Sequence, residues 1–458
     1  MIRSILFAAA SISVLAALAT PLAAQSTSQE EIDARYDRAL AAGYKALFLC
    51  SAIANAERNG ATRTPESVME WELTGIQAPL DQIVGELPHR IVRYGNGEGS
   101  VDRVAVSWSD DMPARLAVHR HGEGCSLAPI GTRADDLSDF NRRGHAASKQ
   151  LPFTFVDDTA AFRDDGLLDG AFGGQYGEGT RTTAIFIAKD KSKLAERYAE
   201  GFGPRVPQRT WSVAKSLAAA IIVSHLPNGL YEPVQLDEWQ SPGDPRQRIT
   251  IDNLLRMASG RHSDTAGNRT DPIYWGGSGV MERAANWPLI AEPGTVYRYA
   301  NNDTLMAFKA FMRVRRQHDT PLHFFEDRAM HHTVAEQDWY GDYVISSQVW
   351  STAPDLARFG RSLLEDPVGP PFRGREYFAA ASGPQPEGRS WGYGAGFWLF
   401  DEHEGIPSDT FFAAGNRGQY VVIVPSHDIV IVRRGEDPAG TRFDIEAFTR
   451  DVLAALGE

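Results

Sequence analysis

Thr210-Trp211-Ser212-Val213-Ala214-Lys215-Ser216 opens an apolar run that continues through Leu217-Ala-Ala-Ala-Ile-Ile-Val223 and is stopped by Pro227-Asn228-Gly229. The run reads as a helix with Ser212 at its start. Of the lysines, at 45, 149, 189, 191, 193, 215 and 309, Lys215 alone has a serine three residues before it. An i,i+3 spacing puts both side chains on one helix face, one turn apart. A serine hydroxyl is a poor nucleophile unless a nearby base takes its proton. Lysine can be that base where burial disfavours its ammonium form. The flanking Trp211, Val213, Ala214, Leu217 and Ala218 are apolar enough for this. The start of a helix also offers free N–H groups and a positive dipole end to an oxyanion. Alone, Ser-x-x-Lys is as readily a capping serine with a lysine in the first turn, so the flanking sequence must decide.

Downstream stand Ile249-Thr-Ile-Asp-Asn-Leu-Leu-Arg-Met-Ala-Ser-Gly260, then Glu292-Pro-Gly-Thr-Val-Tyr-Arg-Tyr-Ala-Asn301, then Ser351-Thr-Ala-Pro-Asp-Leu-Ala-Arg-Phe359. With the 210–216 segment these make four ordered stretches within 182–435. Together they resemble the class C β-lactamase-like, penicillin-recognising serine hydrolases, near the 6-aminohexanoate-dimer hydrolases and related esterases. The resemblance implies Ser212 as nucleophile, Lys215 as its proton acceptor and Tyr299 as the shuttle to the leaving group. It also implies that Asn301, of the Tyr-x-Asn motif, lines the site and holds the lysine. The residues alone leave Tyr299 open as a core tyrosine and Asn301 as purely structural.

A third motif of that family, Lys-Thr-Gly on a strand, is missing. Ala413-Ala414-Gly415-Asn416-Arg417-Gly418-Gln419 stands at its place. The resemblance to the esterase branch implies that the N–H of Asn416 joins that of Ser212 in holding the oxyanion. Arg417 has two readings, attraction of an acidic substrate or a surface salt bridge.

The surrounding pattern predicts an α/β (α+β) fold, an antiparallel sheet flanked by helices with an inserted all-helical lobe. Residues 31–58 read as a helix, and 103–108 with 115–120 as a hairpin of the N-terminal segment. Thr182–Ala188 is a strong strand, with a return over 194–200. Residues 230–365 are mostly helical pattern, with a capped helix at 249–257. Strands follow at 393–400, 420–425 and 429–433, then a helix at 444–456. The glycine-rich cluster at 170–179 lacks the ending of a phosphate loop and reads as an ordinary loop. The expected organisation is a leader at 1–24, an N-terminal segment at 25–180 and a catalytic domain at 181–458, with the helical lobe at about 230–365.

Arg3, the apolar stretch Ile5–Ala19 and the small residues up to Ala24 describe a secretory leader rather than a membrane anchor. No later segment approaches about 18 apolar residues, so the mature chain is expected to be soluble, periplasmic or secreted. In an oxidising compartment Cys50 and Cys125 are expected to form a disulfide, the alternative being two buried thiols. The histidines lack metal-ligand spacing, so no metal and no organic cofactor are expected. A net charge of −13 argues against a nucleic-acid partner. The expected partner is a small-molecule substrate, an ester or amide such as an ω-amino-acid oligomer. The rival readings are a β-lactamase, a D-alanyl-D-alanine carboxypeptidase, or a catalytically silent binding protein of the same fold.

Overall fold

The computed structural model describes residues 28–457, apart from 96, 98, 140–153, 164–165, 263–269, 365–373 and 401–402. The leader expected at 1–24 lies outside the described residues. The chain is a mixed α/β protein built on antiparallel sheets.

Its N-terminal helix α1, Gln29–Arg58, starts at a capping box. Ser28 Oγ accepts from the Glu31 N–H, and the Glu31 carboxylate accepts from the Ser28 N–H. From Ala39 to Ala56 every residue of α1 is buried. This corrects the expectation that no segment past the leader is long and apolar enough to span a membrane. The stretch is long and apolar enough, but it is buried inside the protein.

One side of α1 is covered by a four-stranded antiparallel sheet in sequence order: β1 His89–Arg93, β2 Val101–Val106, β3 Arg115–Arg120 and β4 Gly124–Leu127. The predicted hairpin is the middle of this sheet. The short helices α2, Pro65–Trp71, and α3, Leu80–Val84, connect α1 to it. Lys45 ties α1 to the end of α3 through the carbonyls of Val84 and Leu87, at 3.0 and 2.7 Å. Cys50 of α1 is bonded to Cys125 of β4.

The principal sheet uses β5 Val156–Asp157, β6 Thr182–Lys189, β7 Ser192–Tyr198, β11 Trp391–Tyr393, β12 Trp398–Phe400, β13 Phe411–Gly415, β14 Gln419–Val424 and β15 Ile429–Gly435. Their order is β11-β12-β13-β14-β15-β6-β7-β5, antiparallel except for β5 beside β7. Side chains alternate between faces along a strand. Ala184, Phe186, Val421, Ile423, Val430 and Val432 join one core cluster, and Ile185, Ile187, Val422, Val424, Ile429 and Ile431 join the other. Both faces are therefore covered, which is why these strands read as unbroken apolar runs. The first face carries α5, Val213–His225, and α11, Ala353–Leu364; the second carries α4, Leu167–Gly173, and α13, Ile445–Leu456.

Between these parts run α6 Ile251–Leu255, α7 Asp271–Tyr274, α8 Val280–Ala284, α9 Asn301–Val314 and α10 Pro321–Asp327, with α12, Gly374–Ala379, after α11. A small sheet, β8 Gln208–Arg209, β10 Val349–Ser351 and β9 Val334–Ala335, leads into the nucleophile segment.

Three sequence expectations need correction. The strand read at 393–400 is a hairpin of β11 and β12, turned by Gly396 at φ 80° and closed by the Gly394 N–H on the Phe397 carbonyl. Part of the cluster read as a loop at 170–179 is the last turn of α4. The helix expected over 249–257 spans Ile251–Leu255, because Met257 takes the left-handed conformation at φ 57°.

Candidate active site

Ser212 stands at the N-cap position of α5, but its hydroxyl caps no helix N–H. A capping serine would turn that oxygen to the N–H two or three residues on. Here Val213, Ala214 and Lys215 send their N–H groups back to the carbonyls of Thr210, Trp211 and Ser212. The hydroxyl is left to Lys215 Nζ, at 2.9 Å. Trp211, just before, is held at φ 51°, a conformation that costs a non-glycine residue about 1–2 kcal/mol. It is packed edge-on against Trp275, and the Arg209 guanidinium lies 4.6 Å from its ring centre. Strain of this kind persists where the surroundings over-determine it.

Lys215 is 1% exposed. Its Nζ lies 2.7 Å from Asn301 Oδ1 and 2.9 Å from the Ser346 carbonyl oxygen. With no carboxylate among these partners, burial pulls its pKa down to about 7. A neutral amine has two N–H bonds and one lone pair. Both carbonyl oxygens can only accept, so they use the two N–H bonds. The lone pair then faces the one partner that carries a proton, Ser212 Oγ–H.

Asn301 opens α9, and its amide Nδ2 donates to Thr270 Oγ1 at 3.1 Å, which fixes Oδ1 toward the lysine. Tyr299, two residues earlier, borders the cleft beside Ser212, with Lys215 Nζ 5.0 Å from its ring centre, and stacks on Trp398 with ring centres 5.4 Å apart. Its enclosure pushes the phenol pKa well above its ordinary value. The structure thus brings Ser212, Lys215, Tyr299 and Asn301 together.

Asn416 borders the same cleft, at the turn after β13. Gly415 lets that strand end lie against the nucleophile: a Cβ there would sit 2.4 Å from the Thr210 carbonyl oxygen and 3.0 Å from the Ser212 nitrogen. The edge of the principal sheet and the start of α5 therefore present backbone to each other with no room for a side chain. Arg417 matches neither sequence reading. It is buried, turned away from the cleft, and paired with Glu436.

The cleft has two parts that share Ser212, Tyr299 and Asn416. One, of about 630 Å³, is bordered by Tyr297, Trp391, Trp398, Arg298 and Arg389. The other, of about 400 Å³, is bordered by Tyr274, Asp271 and Ser347 and by Asp37, Leu40 and Gln77 of the N-terminal segment. Among the described residues no histidine borders either part. No group of three or more His, Cys, Asp or Glu among them is arranged to hold a metal ion.

Sequence reasoning missed Ser346, Thr270 and the N-terminal wall. Ser346 contributes a main-chain carbonyl, which any residue carries, and its hydroxyl meets Tyr274 at 2.6 Å. Thr270 and the wall residues Asp37, Leu40 and 77–80 belong to none of the four family-like stretches; long-range packing alone brings them to the cleft.

No curated protein matches in sequence. Among solved structures, a protein from Bacteroides dorei described as a β-lactamase superposes with a TM-score of 0.50 at 18% identity, covering 65% of this chain and 100% of its own. A protein from Bacillus anthracis described as a 6-aminohexanoate-dimer hydrolase gives 0.48 at 18%, covering 68% and 86%. A class C β-lactamase in complex with cefoxitin gives 0.48 at 12%, covering 65% and 99%. The profile of the Beta-lactamase family matches residues 172–314 and 313–455, well over half of the sequence. The chain accordingly belongs to the β-lactamase family, within the superfamily of penicillin-recognising serine hydrolases.

Proposed function

We propose that this protein is an exported serine hydrolase that cleaves small esters or linear amides, ω-amino-acid oligomers among them, through an acyl-enzyme on Ser212. The observation that carries the reading is the set of partners of Lys215: two carbonyl oxygens and the Ser212 hydroxyl, in a site dry enough to hold its pKa at about 7. Neutral Lys215 takes the Ser212 proton as Oγ attacks the substrate carbonyl carbon. The N–H groups of Ser212 and Asn416 hold the oxygen that becomes negative. The proton passes by way of Tyr299 to the departing alcohol or amine as its bond to carbon breaks. Water then attacks the acyl carbon, Lys215 accepts its proton, and Ser212 Oγ leaves and is reprotonated.

Export is supported by the leader-like residues 1–24 and is compatible with the Cys50–Cys125 disulfide. The end of β13, Ala413-Ala414-Gly415, offers no lysine to a β-lactam carboxylate, which favours esters over the β-lactamase and carboxypeptidase readings. The test is a panel of p-nitrophenyl esters, nitrocefin and linear aminohexanoate oligomers on the mature protein, with fluorophosphonate labelling of Ser212. Ester turnover and labelling are expected. Absence of both identifies a silent binding protein.

A further inference from the structure

We infer that Arg417 is a positioning residue for the oxyanion site, and that through it the N-terminal segment becomes part of the catalytic apparatus; the inference rests on the role proposed above for Asn416. The three residues Asn416, Arg417 and Gly418 turn β13 into β14. The Asn416 N–H lies in the peptide plane that joins it to Gly415 at the end of β13, so an anchor on the next residue, Arg417, limits how far that plane can tilt within the three-residue turn.

Arg417 is fixed from both ends. Its guanidinium donates from Nε to Glu436 Oε2 at 2.6 Å, from Nη1 to the Gly75 carbonyl at 3.1 Å, and from Nη2 to the carbonyls of Trp71 and Thr74 at 2.8 and 2.9 Å. Its own carbonyl accepts from the Asp437 N–H and from Gln419 Nε2, both at 3.2 Å. The residue is 6% exposed. Its backbone lies in the left-handed region at φ 56°, followed by Gly418 at φ 75°. A hairpin turn needing a left-handed residue is ordinarily served by glycine or asparagine. An arginine there bears the strain of that conformation, and burying its charge adds a desolvation cost. Neither helps a turn form. Both are accounted for if the side chain serves as an anchor for the turn.

The anchor lies outside the family match. Trp71 ends α2, and Thr74 and Gly75 lie in the loop between it and α3, whereas the profile begins at 172. The Gly75 carbonyl also accepts from the Ala439 N–H at 2.7 Å, so this loop holds both Arg417 and the chain just after β15. A catalytic donor displaced by as little as about 1 Å loses much of its effect. A family member without this segment must hold the turn by other means.

Two full-length variants test the inference, Arg417→Lys and Gly75→Ala. Lysine cannot span the carboxylate and three carbonyls. A methyl group at 75 would meet Pro438 atoms at 2.8–3.2 Å in a left-handed backbone, pushing the loop away while leaving the buried pair intact. Active sites are counted by fluorophosphonate labelling taken to completion, so misfolded protein drops out of the rate. The expected result is a kcat per labelled site lower by about tenfold or more, below the 10²–10³ for outright loss of a donor. KM and the kinetic pKa of Lys215 should stay put. Should Arg417→Lys fail to accumulate, Gly75→Ala decides alone. Normal kcat per labelled site in the deciding variant overturns the inference. Ser212→Ala, run alongside, separates the two claims: turnover in that variant would refute the proposed nucleophile, whereas an inactive Ser212→Ala beside a normal Arg417→Lys would refute only the anchor.

Discussion

Lys215 Nζ lies 2.9 Å from Ser212 Oγ and has carbonyl oxygens as its other two partners. Such an ammonium is stabilised by dipoles but by no counter-charge, so burial wins and the amine is half deprotonated near pH 7. In the proposed mechanism the active form is the free base. The expected kcat/KM therefore rises with pH through about 7 and then levels, since protonation of Lys215 on the acid side removes the acceptor. Tyr299, pushed up by its enclosure, stays protonated through this range and adds no falling limb near neutrality. A pH–rate profile on a p-nitrophenyl ester checks this. A rate that is flat from pH 5 to 9 would remove the titrating lysine from the mechanism.

In the proposed mechanism Ser212, Lys215 and Tyr299 share one proton path, and residues acting as a unit are grossly non-additive. Ser212→Ala is expected to abolish both fluorophosphonate labelling and turnover. Lys215→Ala should lose at least about a hundredfold, the low end for general base catalysis. Adding Tyr299→Phe to Lys215→Ala should then cost little more. Near-normal activity in Lys215→Ala at neutral pH would leave Ser212 without a base, because no histidine among the described residues borders the cleft.

The parts of this site that could be read from sequence are those whose chemistry lies in a side chain at fixed local spacing. Ser212 and Lys215 are one helical turn apart, and Tyr299 and Asn301 flank the start of α9. The sheet was legible where both faces are buried, as in β6, β14 and β15. It was misread at 393–400 because the apolar run conceals a tight turn at Gly396. What stayed hidden is main-chain or long-range. The Ser346 carbonyl carries no residue signature, and Arg417 looks like a surface charge until the fold sets the 71–75 carbonyls around it. Asp37 and Gln77 reach the cleft only because α1 and the loop before α3 pack beside it.

The Cys50–Cys125 bond closes a separation of 75 residues between α1 and β4. On the chain-entropy account such a loop is worth about 4 kcal/mol, and native disulfides fall in the range of about 2–5. A Cys50→Ala/Cys125→Ala variant is therefore expected to melt at lower temperature, with a lower denaturation midpoint in urea. Because α1 and the loop before α3 border the cleft, ligand or substrate should protect the variant less well than the parent. Two free thiols, found by mass spectrometry of protein recovered after export, would contradict the bond.

Substrate preference follows from what the strand beside the nucleophile lacks. In penicillin-recognising relatives that carry it, a Lys-Thr-Gly strand sets an ammonium where a β-lactam carries its carboxylate. In this chain β13 ends in Ala413-Ala414-Gly415, and the next cation, Arg417, is committed to Glu436 and the carbonyls of residues 71–75. The strand end therefore still lies against the backbone of Ser212, but without the charge. A neutral acyl group loses nothing by this. A β-lactam loses a charge-assisted hydrogen bond, a class of contact worth about 1.5–3 kcal/mol, or roughly 10- to 150-fold. Short p-nitrophenyl esters should accordingly be turned over at least tenfold faster than nitrocefin under the same conditions. Nitrocefin turnover above that of the acetate or butyrate ester would reverse the ranking and point to Arg298 or Arg389, at the larger part of the cleft, as a replacement anchor.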